Sequence, residues 1–166
     1  PGFRYEGGGT EMTGYISYLD EEEVPNLIDH NIPAFGINTK YVINEGTQVY
    51  AGISQAYRPL LFKDIIPTSS LERADKDLED AFGYNAEAGI SGHTSDWLKY
   101  EVTLFHMVYR NKLGNTVQTE DGVDYVYKTN IGDSETNGIE LFAEVIPVQE
   151  KNIYVSLFTA TSLMKA

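Results

Sequence analysis

Three histidines, a run of carboxylates and two glutamates four positions apart are the groups in this chain with the chemistry to do more than pack. His30, His93 and His106 lie far apart in sequence, so no pair of them has the local spacing of a metal site. His106 falls in an apolar alternating register and reads as a packed or interfacial histidine. The stretch from Gly7 to Pro33 holds Glu11, Asp20, Glu21, Glu22, Glu23 and Asp29 without a lysine or arginine, the signature of a solvated loop. Asp20, Glu22 and His30 are the residues there that a divalent ion would use, but their spacing fits no cation loop, so no metal site is assigned. Gly7-Gly8-Gly9 lacks the following Lys-Ser/Thr and helix of a phosphate loop. Glu140 and Glu144 would form an acid pair on a helix; on a strand they stand about 13 Å apart, too far for glycosidase chemistry. The residues therefore predict no enzyme, no metal and no cofactor.

The elements that position these groups are strands. Phe82 to Ser91 alternates without exception: Phe82, Tyr84, Ala86, Ala88 and Ile90 against Gly83, Asn85, Glu87, Gly89 and Ser91. Only a strand uses a period of two. Its length exceeds the usual 5–6 residues or so of a soluble strand and matches the roughly 9–11 needed to cross a bilayer at a tilt.

The rest of the chain repeats the pattern. A short strand is expected at Pro1–Glu6, its abrupt start suggesting a chain cut from a longer one, and the glycines at 7–9 are expected to end it. Alternation resumes at Phe35–Ile43, turns at Asn44-Glu45-Gly46 and returns at 47–57. Pro59, Pro67 and mixed charge argue against any strand in 58–81. After a turn at 91–96, one strand is expected from Trp97 to about Thr119, a tip at Glu120-Asp121-Gly122, a descent from Val123 to Ile146, a turn at 147–151 and a last strand at 152–164. Short connections at 44–46, 91–96 and 147–151 alternate strictly with long ones at 7–34, 58–81 and the hairpin tip near 110–130. An up-and-down barrel in an outer membrane sorts its loops this way, and a Greek-key sandwich has no reason to. Arg4, Lys40, Glu87, Lys99, Glu101, Glu140 and Glu144 fall on the polar face, which in a barrel lines the lumen.

Composition agrees without deciding. Twelve Lys+Arg against 25 Asp+Glu leave a net charge of −13, which excludes a nucleic-acid partner. There is no cysteine, and no apolar run long enough for a transmembrane helix, an absence that says nothing against a barrel. The 15 glycines, 12 tyrosines and seven phenylalanines suit a barrel with aromatic girdles, or a soluble antiparallel sandwich of the carbohydrate-binding type, which is the alternative reading.

Three segments carry a more specific likeness. VYAGISQAYRPLLFKDIIP (49–67) resembles the strand and outer-loop start of TonB-dependent outer-membrane receptors, with Ser54, Ala56, Tyr57, Arg58 and Pro59 at that family's S-x-A-Y-R-P positions. DLEDAFGYNAEAGISG (77–92) is similar to the family's strand ending in E-x-G, here Glu87 and Gly89, departing at Asp80, Ala81 and a missing proline. KTNIGDSETNGIELFAEVIP (128–147) matches a third family segment at Asn130, Gly132, Gly138 and Glu140. The three lie in the family's order across roughly residues 34–166, most like the ferric-dicitrate and siderophore receptors.

The resemblance implies an all-β, antiparallel up-and-down transmembrane β-barrel of about 22 strands. This chain, 1–166, would supply about seven or eight of those strands as a partial barrel domain, without the plug, the TonB box or the closing strand. It implies a bacterial outer-membrane location, contact with outer-membrane lipid and lipopolysaccharide, energy from the TonB complex through the plug, and a ferric chelate as ligand. Lumenal Lys40, Glu87, Glu101, Glu140 and Glu144 would then face a plug, and Gln55, Arg58, Lys63 and Arg73 would be the contacts for an anionic chelate, because arginine offers forked donors to carboxylates.

Overall fold

A computed structural model of the chain describes residues 1–11, 27–75 and 77–166. Seven long strands form one antiparallel meander: β1 (Gly2–Glu11), β2 (Leu27–Asn44), β3 (Thr47–Arg58), β5 (Ala81–Thr94), β6 (Leu98–Arg110), β9 (Ser134–Glu150) and β10 (Ile153–Lys165). Each pairs with its neighbour in that order, and β1 and β10 are the edges of a sheet that does not close on itself. A one-turn helix α1 (Phe62–Ile65) and three short strands lie in the connections: β4 (Glu72–Ala74), β7 (Leu113–Glu120) and β8 (Val123–Asn130). These three form a second small sheet, β4-β8-β7.

The alternation read from the sequence is the alternation of the wall. Opposed residues place Thr39, Ala51, Ala88, Leu104, Ile139 and Leu163 in one outward row. Lys40, Tyr50, Gly89, Thr103, Glu140 and Ser162 form the adjoining inward row. Among the described residues nothing stacks on the outward face: Leu104 is 57% exposed and Leu163 62%. Among the described residues, Leu60, Ala81 and Ile146 are the buried hydrophobic side chains, and they sit near the strand ends. A sheet of this size without a core cannot be held by burial in water; its apolar face needs a hydrocarbon solvent. The sandwich alternative fails on this point, since among the described residues no second sheet covers either face.

Aromatic side chains mark the rims of the outward face. Phe3 and Phe35 meet with ring centroids 5.0 Å apart, and Tyr57 opposes Phe82 beside the long loops. Tyr100 opposes Gly92 near the tight turns. From Phe82 to Gly92 the strand covers about 33 Å, which a tilt of about 40° lowers to about 25 Å, the height of the apolar band of such a wall.

Several boundaries differ from expectation for identifiable reasons. β1 continues through Gly7-Gly8-Gly9 because these residues pair with Asn31, His30 and Asp29 of a β2 that starts at Leu27 rather than Phe35. Pro33 is tolerated because β2 pairs with β3 only from Gly36 onward, so at that height β1 is its sole partner. β5 runs to Thr94 and turns at 95–97. The strand expected from 97 to 119 breaks at Asn111, whose φ of 54° is left-handed, and the descent breaks at Gly132, φ 121°. β9 passes through Pro147 to Glu150, with a register shift opposite Val155 and Leu157 accommodating the proline. A strand does occur in 58–81: β4 lies beyond both Pro59 and Pro67 and pairs in parallel with β8, a partner no local pattern announces. The acidic stretch lies mostly outside the described residues, Asp20 and Glu22 included.

Candidate functional site

Two places gather polar side chains: the inward face of the wall and the crown formed by the long connections. On the inward face Tyr50 donates to Glu101 Oε1 at 2.6 Å and lies 2.5 Å from Thr103 Oγ1, joining β3 to β6 across β5. The ring can cross because Gly89 lies beneath it; a Cβ at that position would stand 2.5 Å from Tyr50 Cζ. Gly138 is crossed by the Phe105 ring in the same way. Gly89 and Gly138, two of the glycines that carry the family-like spacing, thus have a physical role, since each leaves room for an aromatic ring from the neighbouring strand. Glu101, Thr103, Glu140, Phe142 and Ser162 line a shallow depression of about 420 Å³ in this face. Lys99 donates to Glu144 at 3.0 Å, and Gln48 to Ser91 at 3.0 Å. Lys40, Glu87, Glu101, Glu140 and Glu144 all occupy inward register, as the alternation implied. Sequence reasoning passed over Tyr50, whose aromatic ring breaks the polar pattern of its face; Gly89 opposite was the available signal.

On the outward face Tyr84, His106 and Asn137 form a polar cluster bonded within itself. His106 is 3.0 Å from the Tyr84 hydroxyl through Nε2 and 2.7 Å from Asn137 Oδ1 through Nδ1. The histidine of the apolar register is thus bonded at both ring nitrogens. His30 lies elsewhere, in β2, with Nδ1 2.9 Å from Asp80 Oδ2, while Asp80 Oδ1 accepts from the Leu60 N–H at 2.8 Å. Among the described residues no three His, Asp or Glu side chains are grouped to hold a metal.

The crown joins two connections. β4 of the 58–81 segment pairs in parallel with β8 of the 110–134 segment, opposing Glu72 to Val126, Arg73 to Tyr127 and Ala74 to Lys128. Thr129 donates to Asp75 at 2.8 Å, Asn111 Nδ2 to Glu79 at 2.7 Å, and Asn130 Nδ2 to the Glu79 carbonyl at 3.1 Å. The Thr68 N–H and hydroxyl beside Glu72, with Lys128 adding its charge, hold that carboxyl below the ordinary range. The Asp77 N–H, then the Thr129 hydroxyl, do the same for Asp75. Burial and the Glu120 carboxylate raise the Tyr127 phenol.

The expected ligand residues divide between these places. Arg58 is inward at the rim, opposite Ala81, and donates through Nη2 to Asp64 at 3.0 Å. Lys63 is exposed on α1. Arg73 donates to the Ser70 and Glu72 carbonyls at 2.8 and 2.9 Å and lies 4.4 Å over the Tyr125 ring, so it braces the crown. Gln55 is in outward register, where its Oε1 accepts from the Phe35 N–H at 2.9 Å. The four are not one constellation.

A one-sheet wall with an apolar exterior, a polar interior and long connections gathered at one end defines a membrane β-barrel. The chain belongs to the TonB dependent receptor-like β-barrel family, whose model matches residues 1–161. That family is one of outer-membrane receptors and transporters. No curated protein matches the sequence. Among solved structures, the chain is similar to the copper transporter OprC at 16% identity and a TM-score of 0.62, covering 84% of this chain and 22% of that one. It is also similar to the siderophore receptor PirA from Pseudomonas aeruginosa, at 18% identity and TM-score 0.60, covering 83% and 30%. A third likeness is to a variant of the ferric enterobactin receptor PfeA from Pseudomonas aeruginosa in complex with enterobactin, at 16% identity and TM-score 0.56, covering 83% and 27%. The chain therefore spans under a third of each of these proteins' lengths.

Proposed function

We propose that this chain is part of the wall and outer mouth of a receptor in the bacterial outer membrane that takes up a ferric chelate, citrate- or siderophore-like, with energy delivered by the TonB complex through a plug. The observation that carries the reading is the coreless sheet itself: one face fit only for lipid, the other polar, and the long connections bonded together at one end. The similar solved proteins described as a copper transporter and as siderophore receptors support a metal-bearing cargo. The outward aromatic rims would contact outer-membrane lipid and lipopolysaccharide. Glu87, Glu101 and Glu140 would face the plug. Arg58 is the best-placed ligand contact, because it is inward at the rim and the one arm given to Asp64 leaves further donors on its fork. Lys63, Arg73 and Gln55 are weaker candidates, since the first is peripheral and the other two are engaged with backbone groups.

The test uses the complete receptor in cells with and without TonB, supplied with radioactive iron as ferric citrate or as a ferric catecholate. TonB-dependent accumulation of one of the two is expected. Binding of neither, by a receptor shown to be assembled in the outer membrane, would sink the ferric-chelate reading. The wall is tested separately by cysteines: those at Ala86, Ala88 and Leu141 should react with lipid-soluble reagents, and those at Asn85, Glu87 and Glu140 with water-soluble ones. Equal water access to both sets would overturn the barrel wall.

A further inference from the structure

We infer that the two long connections following β3 and β6 behave as one body, a composite lid whose halves move together because β4 joins them. A β-hairpin such as β7–β8 is marginal alone, and a three-residue strand such as β4 has no independent stability. Each supplies what the other lacks. β4 adds a third strand along β8, and the pairing continues beyond the strand ends: the Val126 N–H donates to the Leu71 carbonyl and the Asp75 N–H to the Lys128 carbonyl, both at 2.9 Å. Side chains repeat the join on both faces of the small sheet. On one, Lys128 reaches the Ile66 carbonyl at 3.3 Å and Glu72 at 3.5 Å. On the other, Arg73 covers Tyr125 and Thr129 binds Asp75.

The legs of the lid are pinned at their bases. The two legs of the β7–β8 hairpin bond to each other through Lys112 N–H to Gly132 O and Ile131 N–H to Lys112 O, each 2.8 Å, beside the Arg110–Asp133 pair at 2.6 Å. Those of the other connection meet where Asp80 accepts from the Leu60 N–H. Beneath them the wall pairings stop, β3–β5 at Arg58–Ala81 and β6–β9 at Tyr109–Ser134, with Arg58 and Arg110 tying the wall ends to Asp64 and Asp133. Displacing either connection therefore requires breaking the β4–β8 join or carrying the partner along, and a ligand that contacts one moves both. The inference concerns the crown alone and stands whether or not the cargo is a ferric chelate.

Hydrogen exchange on the complete receptor in detergent, with no ligand added, tests it. Asp75→Ala should speed exchange of the amides at 72 and 75 and of those at 126 and 131 together, by roughly ten-fold or more, as expected for losing a hydrogen bond or two from a shared unit. Amides of β5 and β6 within the wall should be unchanged. Faster exchange confined to 72–75, with 126 and 131 at their original rates, would overturn the single lid. Should Asp75→Ala fail to assemble, cysteines at Ala74 and Lys128 decide: the opposed pair should form a disulfide under mild oxidation without loss of assembly, and absence of the cross-link in an assembled receptor would refute the join.

Discussion

Asp75 and Thr129, 54 positions apart, meet in a 2.8 Å hydrogen bond in which the threonine hydroxyl donates to the carboxylate. That bond crosses from one long connection to the other, and its partner across the small sheet is the Glu72–Lys128 pair at 3.5 Å. Both carboxyls are held below their ordinary range, Asp75 first by the Asp77 N–H and then by Thr129, Glu72 first by the Thr68 N–H and hydroxyl and then by Lys128, so the crown carries a pH dependence of defined sign.

The Asp75 carboxyl is lowered from an ordinary 3.8, and the Glu72 carboxyl from 4.5, by hydrogen bonds to the charged form. A carboxyl with a depressed folded value contributes stability that is full above its unfolded value and is lost as pH falls through the folded one. Protease nicking within 60–75 and 113–130 of the assembled receptor should therefore stay flat from neutral pH to about 5 and rise below about 4. Asp75→Asn, which keeps an acceptor but not the charge, should shrink that acid step. A step centred well above the carboxylate range would remove the two carboxylates from the role.

Ala88 is the next test, because it stands in the middle of an outward row between Ala51 and Leu104. Ala88→Arg should destabilise the receptor in lipid vesicles by about 2–4 kcal/mol if that row lies near the midplane. Glu87→Gln, one residue away on the inward face, should change the unfolding midpoint little. Equal effects of the two, read by denaturant unfolding, would mean that the faces do not differ in solvent.

What could be read in advance follows from range. The β5 register was legible because ten residues alternate without exception and need no partner to reveal it. Its inward glycines were visible as spacing, but why Gly89 must be a glycine depends on Tyr50, a residue from another strand. β4 was illegible: Glu72-Arg73-Ala74 has no periodicity, and its strand conformation comes from the free edge of β8. Arg73 looked like a loop charge for a ligand, whereas Tyr125 and two carbonyls occupy it. Pro147 read as a turn because a local rule ignores the register shift that absorbs it. Local patterns announced the wall, and non-local pairing built the crown.

Gly89 and Tyr50 give a coupled prediction. Gly89→Ala places a methyl 2.5 Å from Tyr50 Cζ and 2.7 Å from the Val102 carbonyl oxygen, and should cost about 1–3 kcal/mol as overpacking. Tyr50→Phe keeps the ring and removes the bonds to Glu101 and Thr103, a loss of about 1–3 kcal/mol. Tyr50→Ser combined with Gly89→Ala should cost less than the sum of its single changes, because the ring that the methyl strikes is gone. Strict additivity in a double-mutant cycle would show that Gly89 is constrained by the backbone of β6 alone.

Arg58 and Asp64 set the last prediction, which rests on the ferric-chelate reading. The guanidinium is inward at the rim, Pro59 restricts the chain just beyond it, and Asp64 takes one of its arms at 3.0 Å. Arg58→Ala removes a charge-assisted donor to a bound carboxylate, worth about 1.5–3 kcal/mol, or roughly ten- to a hundred-fold in affinity for ferric citrate. Lys63→Ala, exposed on α1, should do less. Asp64→Asn acts in the opposite direction: it retains an acceptor for Arg58 but removes a negative charge beside the ligand. At about 5 Å in a watery mouth that charge repels an anion by about 1 kcal/mol, so affinity should rise by about five-fold. The two variants must move affinity in opposite senses in correctly assembled receptors. If Arg58→Ala leaves ferric-citrate binding unchanged, the pair is a loop brace and the ligand is held elsewhere; if both variants weaken it equally, their shared effect is on the shape of the loop.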